Sequence, residues 1–162
     1  MLMRRLRLSF ALTLVLTGPL PASAQTTGDS HHWLVQTSVY TIHFKSGPDL
    51  NDRQWLIDVE HKGSRGPLFG VALFSNSFKQ PCQYVYIGKI WKPLRVAPGF
   101  FLKLTGGVLH GYEGEHREEI PFNGSGVAIV AVPSIGFKTG RFQTEVVVFG
   151  IAGAMVTVGA SF

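Results

Sequence analysis

The chain has 162 residues, enough for one domain. Its 15 Lys and Arg outnumber 10 Asp and Glu, but Arg4, Arg5 and Arg7 belong to the first few residues, and without them the balance falls to 12 against 10. The remaining basic residues are scattered and not interleaved with aromatics, which argues against nucleic acid as a partner, and the single cysteine, Cys82, excludes an internal disulfide and a paired-thiol redox motif.

Residues 1–24 read as a cleaved signal peptide. Arg4, Arg5 and Arg7 form the charged start and Leu8 to Leu16 the apolar run. Pro19 and Pro21 break that run, and Ala22-Ser23-Ala24 is a small-residue cleavage site before Gln25. The run is shorter than the roughly 20 residues of a spanning helix, which disfavours an uncleaved anchor. After Ala24 no apolar run approaches that length, and a helical period is hard to find.

Residues 25–162 instead read as short alternating segments separated by turn residues. The segments lie near Trp33–Phe44, Gln54–Glu60, Leu68–Asn76, Tyr84–Pro93, Gly99–Leu109, Val127–Phe137, Arg141–Phe149 and Ala152–Phe162. Gly47-Pro48, Lys62 to Pro67, Ala97-Pro98-Gly99, Asn123 to Gly126 and Lys138-Thr139-Gly140 punctuate them. The short turns suit hairpins on the periplasmic side of a barrel. Ser75–Gln83 and His110–Glu119 are longer and polar, as external loops are. In the last segment Ala152, Ala154, Val156, Val158, Ala160 and Phe162 share one apolar face. A final strand ending on Phe resembles the assembly signal of outer-membrane barrels. The expected fold is therefore all-β: a small antiparallel transmembrane β-barrel of about eight strands in the outer membrane, acting as a monomer. A soluble all-β sandwich is the competing architecture.

The order of motifs resembles the PagP family of outer-membrane lipid A palmitoyltransferases. Tyr40-Thr41-Ile42-His43-Phe44 is similar to the end of that family's first strand, where its essential histidine stands. Asn51-Asp52-Arg53-Gln54-Trp55 is similar to the start of its second strand, and Phe74-Ser75-Asn76-Ser77-Phe78 to its loop after strand three, where an Asp-Ser pair stands. Trp91-Lys92-Pro93-Leu94, Ile120-Pro121 and Pro133-Ser134-Ile135-Gly136-Phe137 follow in the family's order. Three departures stand out. The family's Asp is Asn76, its amphipathic helix before the barrel is absent or vestigial, and its proline before the histidine is missing near Ser38. That proline is thought to loosen strand pairing for lipid access; Pro133 is a candidate opening elsewhere.

The resemblance implies acyl transfer from a membrane phospholipid donor to lipid A; the sequence carries no cofactor motif, and neither a cofactor nor a metal is expected. Such chemistry needs a hydroxyl, a base and donors for the oxyanion. His43 is the expected base, since imidazole exchanges protons near neutral pH. Ser77 is the expected hydroxyl, as nucleophile or as polariser of the reacting group. Asn76 is expected either to orient His43 or to donate to the oxyanion, with Asp49 and Asp52 as nearby replacement charges. In the family a glycine on the fourth strand forms the floor of the acyl pocket. The matching position is near Tyr86, with Tyr84 and Gly88 on the same face, and Gly88 takes the floor position instead if the loop before Tyr84 is shorter than the family's; the acyl chain is expected to be palmitate or shorter. Arg117 is a candidate partner for a lipid A phosphate.

His31-His32 point to opposite faces of an extended strand. His110, Glu113, Glu115, His116, Glu118 and Glu119 form a denser cluster that reads as a solvated acidic loop rather than a metal centre. A lipid A deacylase would carry a C-terminal His-x-Ser-Asn motif, and no histidine follows His116. The non-enzyme alternative is a small barrel that binds or carries a lipid or small solute.

Overall fold

The computed structural model describes residues 32–44, 54–63, 67–120, 123 and 126–162. The expected signal peptide, His31, the Gly47-Pro48 turn, Asp49 and Asp52 lie outside the described residues. Eight antiparallel strands run in chain order around a closed barrel. They are β1 Trp33–His43, β2 Leu56–Lys62, β3 Pro67–Ser75, β4 Pro81–Trp91, β5 Phe100–His110, β6 Val127–Thr139, β7 Phe142–Val148 and β8 Gly153–Ser161. Each expected segment forms a strand. The largest discrepancy is at β4, which starts at Pro81 rather than Tyr84. Proline is tolerated as the first residue of a strand, and Pro81 faces Ser75, the last residue of β3.

Alternation along the strands has an inverted polarity. Val35, Ile57, Phe69, Val71, Val85, Ile87, Ile129 and Ile135 point outward and are exposed. Glu60 and Glu145 point inward and are fully buried. The outward face of β8 carries Val156, Val158 and Ala160, while Met155, Thr157 and Ser161 are buried inside.

We call the end bearing His43 the upper rim. The lower end holds the start of β1, the end of β8, the Gly63–Pro67 hairpin, the segment 92–99 and the tight turn at Gly140, whose φ of +55° suits glycine. The upper end holds the end of β1 and the start of β2, the loop 76–80, the described residues of loop 111–126 and the turn 149–152. Asn123 and Gly126 thus sit at the upper end, not among the short lower hairpins. Loop 111–126 contains a 3-10 turn, Gly114–Glu119, that the alternation pattern did not signal.

The lower interior is a connected polar tier. Lys103 Nζ lies 3.0 Å from Glu60 Oε2 and 2.8 Å from Glu145 Oε1. The Tyr86 hydroxyl donates to Asp58, with 2.8 and 2.9 Å to its two oxygens. Gln36 Nε2 donates to Asp58 at 2.6 Å, Ser134 to Glu145 at 2.9 Å, and Gln143 to Glu145. Above this tier the lining is apolar: Leu56, Ala72, Cys82, Leu109 and Met155 are buried, with Phe74, Val130 and Phe149 packed against them. A filled interior is what an eight-stranded barrel accommodates, so an open pore is disfavoured.

Two seams are only half zipped. β1–β2 pairing ends at Thr37↔Ile57, and hydroxyls take over: Thr37 Oγ1 donates to Leu56 O at 2.7 Å and Ser38 Oγ to Gln54 O at 2.9 Å. β6–β7 pairing ends at Ser134↔Val147, immediately below Pro133, which has no N–H to offer.

Candidate functional site

His43 owes its direction to an irregularity. Leu34 and Gln36 face inward, so strict alternation would put His43 outside. The β1–β8 register shifts between Ser38 and Tyr40, where Val39 is an extra residue. Val39, Tyr40 and Ile42 are exposed, whereas Thr41 and His43 are half-buried on the inner side. A β-bulge therefore re-aims the histidine into the upper mouth.

Ser77 is held by a loop that Asn76 organises. The buried Asn76 Oδ1 accepts from Phe78 N and Gln80 N, both at 2.9 Å, and its Nδ2 donates to Gln80 Oε1 at 3.0 Å. This side-chain mimic of a turn is a common asparagine role. Lys79 takes a left-handed φ of +63° to complete the loop. The loop is also clasped from above. Phe78 stacks on His116 with centroids 3.7 Å apart and 7° between planes, and Gln80 Nε2 donates to Glu113 O at 3.2 Å.

The result is a three-residue contact. His43 Nε2 lies 3.0 Å from Ser77 Oγ, and Gln54 Nε2 donates to the same Oγ at 2.9 Å. His43 comes from the end of β1, Gln54 from the start of β2 and Ser77 from the β3–β4 loop. Gln54 was not foreseen: it ends the polar run Asn51 to Gln54 before a strand, and nothing in the sequence sets it apart from its neighbours for such a role. An oxygen that accepts from an amide still has its own proton to give, and an imidazole nitrogen at hydrogen-bond distance can take it.

Of the other expected site residues, Asn76 adjoins Ser77 in sequence, yet these hydrogen bonds tie its side chain to the loop. Tyr86 is buried in the barrel, its ring stacked on Tyr84 with centroids 4.9 Å apart. Gly88 shares that inner face one step lower, where a Cβ would meet Leu104 O at 2.6 Å. Tyr86 therefore stands between Gly88 and the upper mouth. Arg117 is exposed on the 3-10 turn. His110 lies 3.7 Å from Glu113 and His116 is engaged with Phe78; among the described residues no three metal-type ligands converge.

Sequence comparison finds no protein-family profile and no curated protein that matches this chain.

Proposed function

We propose that this protein is an outer-membrane acyltransferase that moves a fatty acyl chain from a phospholipid to lipid A. The observation that carries the proposal is the His43–Ser77 contact of 3.0 Å at the mouth of an apolar interior. Membrane residence is supported by the inverted polarity: Ile87 and Ile129 are 72% and 77% exposed while Glu60 and Glu145 are fully buried. Outward apolar and inward polar alternation is what a membrane barrel requires. The PagP-like motif order supplies the reaction class.

In this reading Ser77 Oγ attacks the donor ester carbonyl as His43 takes its proton. His43 returns that proton to the departing glycerol oxygen, releasing a lysophospholipid and leaving an acyl ester on Ser77. A lipid A hydroxyl then gives its proton to His43 and attacks that ester, which restores Ser77 and its proton. The half-zipped β1–β2 and β6–β7 seams are candidate lateral routes for the lipids. Arg117 would meet a lipid A phosphate at the rim.

The test is mass spectrometry of lipid A from a host expressing the wild type, His43→Ala or Ser77→Ala. The wild type should add one acyl chain, and each variant should add none while forming a folded barrel. If the folded wild type leaves lipid A unchanged, the barrel binds or carries lipid without catalysis, a reading that the replacement of the family's Asp by Asn76 favours.

A further inference from the structure

Gln54 reaches Ser77 from a backbone that is itself pinned. Ser38 Oγ holds the Gln54 carbonyl at 2.9 Å, and the adjoining Trp55 exchanges bonds with Ser75, N to Oγ at 3.3 Å and O from N at 3.1 Å. The side-chain amide thus bridges the open β1–β2 seam to the β3–β4 loop. We propose that Gln54 is a positioning residue that makes Ser77 a hydrogen-bond donor toward His43.

A serine hydroxyl has one proton and two lone pairs. The Gln54 amide NH₂ can only donate, so it occupies a lone pair of Oγ and cannot take the serine proton. Among the described residues, the other polar group at hydrogen-bond distance is His43 Nε2, at 3.0 Å. Oγ–H therefore points to Nε2, and His43 carries its ring proton on Nδ1. That is the arrangement from which a base removes the serine proton. Glutamate in place of Gln54 would reverse it. A carboxylate only accepts, so it would draw the Ser77 proton toward β2 and leave Oγ facing Nε2 with a lone pair.

The inference rests on the acyl-transfer reading for its consequence but not for its geometry, and the experiment separates the two. Gln54→Met removes the amide at similar size and should lower kcat roughly five- to tenfold, the scale of one neutral hydrogen bond. Gln54→Glu should lower kcat roughly a hundredfold, the scale of a charged one. KM should change less than twofold in both. Nitrogen NMR of histidine-labelled barrel in micelles should show His43 Nε2 unprotonated in the wild type, a mixture of the two tautomers in Gln54→Met, and Nε2 protonated in Gln54→Glu. A Gln54→Glu enzyme as active as Gln54→Met, or a wild type with protonated Nε2, would overturn the assignment. If the NMR pattern holds but the wild type transfers no acyl chain, the positioning role of Gln54 stands and the proposed reaction falls. Should Gln54→Glu not fold, the wild-type and Gln54→Met spectra decide: a Gln54→Met barrel in which His43 keeps the wild-type tautomer in full would overturn the positioning role.

Discussion

Asn76 shows how one residue can build the loop that carries a site. Its Oδ1 satisfies two loop N–H groups and its Nδ2 a glutamine oxygen. Asn76→Ala should leave those N–H groups unpaired and cost about 1–3 kcal/mol locally, read as faster hydrogen exchange at Phe78 and Gln80. From the sequence, Asn76→Asp is expected to be tolerated and to raise the rate by restoring a charge. The loop geometry changes that expectation. A carboxylate keeps the two acceptor contacts but loses the donation to Gln80, whose amide cannot turn without giving up its bonds to Glu113. Asn76→Asp should therefore fold with a looser loop and no gain in rate, as measured by initial-rate transfer assays. The histidine and serine were legible as residues, because their order matched a known pattern. The bulge that aims His43 and the amide that bridges to Ser77 were not, since both depend on contacts between distant segments.

At the scale of elements, the strands were legible because alternation and turn punctuation are local. The 3-10 turn Gly114–Glu119 was not: its charged residues read as a solvated loop, while its role depends on a ring from another loop. His116 packs flat on Phe78, next to Ser77. Stacked pairs of this kind contribute about 0.5–1.5 kcal/mol. His116→Ala should raise hydrogen exchange across residues 76–80 and slow transfer severalfold, and His116→Phe should restore both. Failure of the phenylalanine to rescue would assign His116 a role through its nitrogens instead.

For the molecule as a whole, the polar tier sets both stability and depth. Lys103 is the cation between Glu60 and Glu145, all three buried. Lys103→Met leaves the carboxylates uncompensated and should destabilise the barrel by about 3–5 kcal/mol, measured by urea unfolding in bilayers; adding Glu60→Gln and Glu145→Gln should recover much of the loss. Tyr86 caps this tier. It lies five residues down β4 from Pro81 at the upper end, about 13 Å below that end for a tilted strand and less than the length of an extended palmitoyl chain. The wild type should thus prefer a shorter donor chain, each excluded methylene forfeiting roughly 0.8 kcal/mol. Tyr86→Gly should shift the preference to longer chains in a competition assay with phospholipids of graded length. The closure itself has a further consequence. Seven of the eight strand pairings join sequence neighbours, while the eighth joins β1 to β8, with Leu34 opposite Ser161. Hairpins can form early and locally, but this last seam must bridge nearly the whole chain. Until it forms, the sheet has two bare edges whose backbone groups lack strand partners. On the proposed outer-membrane reading, hydrocarbon could not satisfy those edges, so burial in the bilayer and circularisation of the sheet would be one coupled event, with the meeting of the first strand and the last as its closing step.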